Sequence, residues 1–297
     1  MKCKQYIGVV AVMMAVLSMC GISSCGNRQS RKPVITVSIQ PQKFFLEKIV
    51  GDRVEVKCLL ANGGNPETYE PSLTHLLNLE KSEAYFKIGN IGFESAIINR
   101  VHNNNPDLRI YDTTDGVNLL FGTHGPCCGH GHAHNHGNEI DPHTWSSVKN
   151  AKIIAENMYN AMLDLDSGNE KYYTANYNRF RAELDSLDSE ITEMLRDKRG
   201  TAFVVWHPSL SYFARDYGLE QISVGYEGKE SSVQLMQQQL DEAREHDARV
   251  FFFQKDFDSR QASVVCEQLG VEVTPVNPLN YEWDKEIMSV ADAIASK

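Results

Sequence analysis

An amphipathic helix of unusual length divides this chain. Over residues 169–198, apolar side chains recur at alternating spacings of four and three, which places them on one face of a helix. That face consists of Tyr173, Tyr177, Phe180, Leu184, Leu187, Ile191 and Met194. At 1.5 Å per residue the helix would be roughly 45 Å long. Either a helix joining two parts of one chain or a coiled-coil dimer would explain the stripe. We favour the first, with a monomeric protein, because the stripe spans only about three to four heptads.

The regions on both sides of this helix alternate short apolar runs with amphipathic helical patterns. In the first half, the runs VITVSI, VEVKCLL, AYFKIG and LRIYD are predicted strands, and in the second half TAFVVWH, LEQISVG, ARVFFFQ and VEVTPVNP. Such alternation is typical of α/β proteins. We therefore predict two α/β lobes, residues 34–168 and 200–297, joined by a single long spine helix over residues 169–199.

The N-terminus is typical of an exported lipoprotein. Lys2 and Lys4 precede the apolar run IGVVAVMMAVLSM, which is too short for a membrane span of roughly 20 residues and indicates a secretory signal. Ile22-Ser23-Ser24-Cys25 resembles a lipobox, so residues 1–25 form the predicted signal and Cys25 the lipidated residue. Residues 26–33 would be a tether. The alternative is a soluble secreted protein in which Cys20 and Cys25 pair or stay free.

Charge and cysteine content exclude two classes of protein. The formal net charge is −10, whereas nucleic-acid binding requires a basic surface. After the leader only Cys58, Cys127, Cys128 and Cys266 remain, which is too few for a disulfide scaffold. We expect a lipid-anchored protein on the periplasmic or cell-surface side of a membrane.

Four places in the sequence offer metal ligands. Glu67 lies in a loop between two prolines, and His143 follows Asp141-Pro142, where Asp141 could orient the histidine or cap the next helix. His207 directly follows a strand, and ligands of open α/β folds bind at the carboxyl ends of strands. Gln254 and Asn277 follow two other strands of the second lobe. Two imidazoles and a carboxylate suit a divalent transition metal.

With these motifs identified, the chain resembles the metal-binding receptor lipoproteins of ATP-driven zinc and manganese importers. The resemblance covers nearly everything after residue 33 and rests on the GGNPETYEPS loop, DPHTW, WHPSLSYFARDYGL, the spine helix and NPL near the end. It implies one metal ion in the cleft between the lobes. His143 and His207 match two family ligands, whereas Glu67 replaces a histidine and Asn277 replaces an aspartate.

The resemblance and these departures together define the expected site. Glu67, His143 and His207 are the expected ligands, and Asn277, Gln254 and Asp141 are candidates for a fourth ligand or for support of the ligands. Two histidines and a carboxylate hold Zn²⁺ with a water, and would accept Mn²⁺ or Fe²⁺ with more oxygens. Binding should weaken as the histidines protonate below about pH 6.

A histidine-rich segment, residues 122–138, precedes DPHTW, where zinc-uptake receptors of the family often carry such a loop. Its glycines prevent a preset geometry, so it would bind zinc more weakly than the cleft. The auxiliary ligands are His124, His130, His132, His134 and His136, with Cys127 and Cys128 as soft ligands or oxidisable thiols. The presence of this segment favours zinc over manganese as the bound metal. The alternative is that the segment is a solvated histidine tract without a role.

The function implied is capture of Zn²⁺ outside the cytoplasm and delivery to an ABC-type permease, without catalysis. One alternative is a zinc hydrolase that uses the two-His-one-Glu site, with Asp141 or Glu70 as general base. Another is a receptor for haem or a corrin, which would need a wider apolar cleft.

Overall fold

The computed structural model describes residues 32–60, 64, 66, 68–121, 140–225, 233–254 and 259–297. These residues form two lobes of parallel β-sheet and α-helix joined by a long helix, which confirms the predicted fold class. No helix in these ranges is both long and apolar enough to cross a bilayer. The predicted signal sequence and lipidated Cys25 lie outside the described residues.

The first lobe is built on a four-stranded parallel sheet. Its strands, in the order β2-β1-β3-β4, are β1 (Val34–Val37), β2 (Glu55–Cys58), β3 (Ala84–Lys87) and β4 (Arg109–Asp112). The strands are joined by α1 (Gln40–Val50), α2 (Leu73–Leu79) and α3 (Gly92–Asn104). The central strands β1 and β3 are almost wholly buried, which explains their continuous apolar sequence.

The long helix that joins the lobes packs against the helix before it. Helix α4 (Val148–Leu165) begins after Ser147, whose side chain accepts the N–H of Asn150, and packs along α5 (Glu170–Met194). Five of the seven stripe residues of α5 are buried in the chain's own core. The stripe therefore serves an intramolecular helix. At 25 residues it is about 37 Å long, shorter than the predicted range 169–199, and a 3₁₀ turn at Arg196–Lys198 follows it.

The second lobe repeats the strand order of the first. Its parallel sheet, ordered β6-β5-β7-β8, consists of β5 (Ala202–Val205), β6 (Glu220–Ser223), β7 (Phe251–Phe253) and β8 (Val273–Pro275). The connecting helices are α6 (Ser211–Tyr217), α7 (Val233–Glu245) and α8 (Ser259–Leu269). Side chains alternate across β5, so that Phe203 and Val205 face one core while Ala202 and Val204 face another.

The last helix, α9 (Trp283–Ala295), packs back against the first lobe and the spine helix. The Trp283 ring lies 4.8 Å from that of Phe45 in α1, and the Tyr281 hydroxyl donates to Glu47 over 2.6 Å. One apolar core thus runs from the first lobe through α4, α5 and α9 to one face of the second sheet. This shared core limits how far the lobes can move relative to each other.

Candidate metal centre

His143 lies on the short segment that enters α4. The Asp141 carboxylate Oδ1 accepts the backbone N–H of His143 over 2.9 Å and lies 2.8 Å from its Nδ1. Because Nδ1 faces an acceptor, it carries the proton of the neutral ring, and Nε2 is left with a lone pair for a metal. Asp141 therefore orients His143, and Ser147 rather than Asp141 caps α4.

His207 meets His143 from the second lobe. It follows β5, at the carboxyl edge of the second sheet, as the sequence predicts. The two Nε2 atoms are 3.1 Å apart, and the side chains are only 4% and 8% exposed. Two nitrogens bound to one tetrahedral zinc at about 2.05 Å are about 3.3 Å apart. The separation of the two Nε2 atoms is therefore within a few tenths of an ångström of that expected for two ligands of one zinc ion.

Burial and neighbouring charges set the protonation of this site. Burial, and after it proximity to His143, lowers the pKa of His207 to about 3, although the Asp141 charge acts in the opposite direction. Burial alone would raise the pKa of Asp141, but the charge and hydrogen bonds of His143 hold it below its usual value. His207 is thus neutral at physiological pH, as a metal ligand must be. The expected protonation below pH 6 does not apply to this histidine in the metal-free protein.

The low pKa of His207 predicts acid sensitivity of the metal-free protein. An unfolded histidine binds a proton below about pH 6.5, whereas folded His207 does so only near pH 3. The unfolded state therefore binds more protons in this window, and the free energy of unfolding falls as pH falls through it. The His207 contribution should approach about 1.4 kcal/mol per pH unit.

Urea unfolding of the metal-free wild type and of His207→Gln at pH 7, 6 and 5 would measure this contribution. The variant should show the flatter dependence. Parallel pH profiles for the two proteins would contradict the assignment.

Gln254 and Asn277, two of the candidates for a fourth ligand, both form hydrogen bonds with residues of the second lobe. The Gln254 side-chain amide donates to the Ser209 hydroxyl over 3.2 Å, which places it beside the turn that follows His207. The Asn277 side-chain oxygen accepts the N–H of Leu279 over 3.2 Å, and its backbone N–H donates to Glu286. Gln254 is thus positioned to support the His207 turn, and Asn277 shapes its own loop.

Two tryptophans connect the DPHTW motif to the late NPL motif. Trp145 Nε1–H donates to the carbonyl of Pro278 over 2.8 Å, and Trp283 Nε1–H donates to the carbonyl of Trp145 over 2.7 Å. Trp145, two residues after His143, is therefore held through its indole by Pro278 of the second lobe and through its carbonyl by Trp283 of α9. These contacts join residues more than 130 positions apart.

A buried carboxylate at the carboxyl edge of the first sheet escaped the sequence analysis. Glu94, 2% exposed, accepts the N–H groups of Ile88 and Gly89 over 2.8 and 2.7 Å. It also accepts the Ser38 hydroxyl, which lies 2.6 Å from the Tyr85 hydroxyl. Burial raises the pKa of Glu94 despite these bonds. The only signal in the sequence was the Gly-Phe-Glu step after the third strand. This network fixes the end of β3 on the cleft side of the lobe.

The described residues contain two of the three expected ligands, together with the three candidates for a fourth ligand or for support. They bring together His143, His207 and Asp141. Glu67 and the five loop histidines, with Cys127 and Cys128, lie outside the described residues. Two residues that flank the histidine-rich segment are described: Phe121 and Ile140 form an antiparallel bridge, immediately before Asp141.

A second group of potential ligands lies on the surface of the second lobe. Ligand atoms of Glu220, Glu242 and His246 lie within 4.8 Å of one another, and His246 Nδ1 is 2.8 Å from Glu220. Glu220 begins β6 beside Ala202, so the group lies at the sheet edge opposite His207. His246 is therefore a histidine of the same lobe that lies away from His207 and can serve as a control for substitutions of His207.

The chain is similar to known proteins of zinc uptake. Residues 35–291 match the family model described as zinc-uptake complex component A, periplasmic. The high-affinity zinc uptake system protein ZnuA of Bacillus subtilis is 23% identical over 280 residues, covering 91% of this chain and 87% of that protein. A crystal structure of ZnuA has 34% sequence identity and a TM-score of 0.80, covering 90% of this chain and 99% of that one. A zinc-bound ZnuA deletion mutant, also 34% identical, gives a TM-score of 0.79 and covers 89% and 97%.

Proposed function

This chain belongs to the family of periplasmic component A proteins of zinc-uptake complexes, and on that premise we propose that it captures Zn²⁺ outside the cytoplasm and delivers it to an ABC-type permease. The observation that carries the proposal is the pair of buried imidazoles, His143 and His207, with their Nε2 atoms 3.1 Å apart. His143 lies before α4 and His207 follows β5, and Asp141 fixes the tautomer of the first.

The proposed ligand set is Glu67, His143 and His207, with water completing the coordination. Glu67 stands where the family has a histidine, so a carboxylate replaces one imidazole. Such a set binds zinc and accepts Mn²⁺ or Fe²⁺ where more oxygens are available. Zinc is favoured because the two described ligands are nitrogens and because the histidine-rich segment offers further nitrogen and sulfur donors.

The alternative of a zinc hydrolase has no support in the described residues or in the family. Asp141, one candidate for its general base, is 3% exposed and bonded to the N–H and the ring of His143. Its carboxylate therefore orients a ligand instead of activating a water. A receptor binds its ion without making or breaking a covalent bond, and these residues suffice for that.

We propose that the lipidated Cys25 anchors the receptor to the membrane, and that the segment 122–138 gathers zinc near the cleft. This role is supported by the bridge between the flanking residues Phe121 and Ile140, which lies next to Asp141. Ions held weakly by His124, His130, His132, His134 and His136 would then be released close to the buried pair.

Elemental analysis of the mature chain, prepared without residues 1–25, would test this division of roles. Wild type should retain one zinc per chain after extensive dialysis. A variant that lacks residues 123–137 should do so too, because the bridged residues Phe121 and Ile140 lie outside the deletion. If the deletion variant lost its zinc as completely as a variant without the cleft ligand His207, the proposed division of roles would be wrong. Manganese or iron instead of zinc would show that Glu67 and other oxygen donors set the metal preference.

A further inference from the structure

The hydroxyl of Tyr212 joins the two sides of the cleft at the metal site. Tyr212, on α6 of the second lobe, is fully buried. Its hydroxyl accepts the N–H of Leu120 over 3.1 Å and donates to the carbonyl of Asp141 over 2.8 Å. Burial raises its pKa to about 12, so the hydroxyl keeps its proton. One buried side chain therefore satisfies backbone polar groups of Leu120 and Asp141, the neighbours of the bridged residues Phe121 and Ile140.

The residue that Tyr212 holds is the one that orients His143. The Asp141 N–H donates to the Leu120 carbonyl over 3.0 Å, and the Asp141 carboxylate holds the backbone and ring of His143. Tyr212 lies only five positions after His207 in the same lobe. The segment 207–212 thus presents one imidazole directly and fixes the second through Asp141.

Neighbouring side chains of α6 reinforce this attachment. Arg215 donates to the carbonyl of Asn118 over 2.7 Å and to the Asn150 side chain over 3.2 Å. The Asp216 carboxylate accepts the Ser147 hydroxyl. The chain on either side of His143 is therefore fastened to the second lobe, although it follows the first lobe in sequence.

We propose that Tyr212 is a positioning residue that couples His143 to His207, so that both imidazoles form a preassembled half-site carried by the second lobe. This inference rests on the proposed function, since it assigns a role within the same zinc site. The hydroxyl is bonded to the backbone of Leu120 and Asp141 and acts on His143 through Asp141.

Tyr212→Phe tests the proposal, and Tyr217→Phe is its matched control. Tyr217 lies on the same helix, is also buried, and donates its hydroxyl to Asp188 of α5 over 3.1 Å, away from the metal site. Removing groups that orient metal ligands typically costs about 10- to 100-fold in affinity. Tyr212→Phe should weaken zinc binding by that amount and alter the visible spectrum of bound Co²⁺, whereas Tyr217→Phe should change the affinity by less than about threefold. Wild-type affinity and an unchanged Co²⁺ spectrum in Tyr212→Phe, or an equal loss in Tyr217→Phe, would overturn the proposal.

Hydrogen exchange of the wild type gives a test that needs neither a variant nor zinc. In the metal-free protein the Leu120 amide should be as protected as the amides inside α6, because it donates to the buried hydroxyl. Rapid exchange at Leu120 with protected α6 amides would refute the coupling. Failure of wild type to bind zinc would instead refute the proposed function, and the Leu120 measurement would still decide the role of Tyr212.

Discussion

Replacing His207 with alanine is expected to abolish tight zinc binding. Structural zinc sites with four ligands are worth about 10–16 kcal/mol, so one ligand accounts for about 3–4 kcal/mol, or roughly 100- to 1000-fold in affinity. His143→Ala should have a similar effect, because the two Nε2 atoms face the same position. Competition with a chromophoric chelator would measure the loss.

His246→Ala is the matched control for this experiment. It removes a histidine from the same lobe, at the surface group with Glu220 and Glu242. Affinity for the first zinc should remain within about threefold of wild type, since loss of a ligand would cost far more. If His207→Ala retains tight binding while His246→Ala loses it, the surface group is the zinc site and the cleft assignment is wrong.

The fold could be predicted because its signals are local. Strands β1 and β5 are short apolar runs followed by polar turns, and α5 carries its stripe within 30 contiguous residues. Where the prediction differed, at the end of α5, the stripe and the helix both end at Met194, and the polar residues Arg196–Lys198 that were predicted to continue the helix form a 3₁₀ turn. Periodicity does not resolve helix ends.

The site could be predicted in part for a related reason. His207 was found because parallel strands bring their carboxyl ends to one edge, and His143 because the resemblance placed DPH opposite it. The links that hold these ligands could not be found this way. Tyr212 and Asp141 are 71 positions apart, and Trp283 and Trp145 are 138 apart. Their pairing depends on how the lobes and α9 pack, which no local pattern encodes.

Replacing Trp283 with alanine is expected to produce a large loss of stability. The side chain is 1% exposed, packs edge-on against Phe45, and donates its Nε1–H to the Trp145 carbonyl. Truncation of a buried tryptophan typically costs about 3–5 kcal/mol, because it removes apolar contacts and leaves a cavity. Urea unfolding of the metal-free protein should show a loss of this size.

Trp283→Phe separates the two contributions. Phenylalanine keeps an aromatic ring against Phe45 but leaves the buried Trp145 carbonyl without its donor, which costs about 1–3 kcal/mol. Trp283→Ala should therefore lose clearly more stability than Trp283→Phe. A loss below about 1 kcal/mol in Trp283→Ala would mean that α9 does not belong to the shared core. The expected loss would instead show that the C-terminal helix closes the core on which the DPHTW segment, and with it His143, is supported.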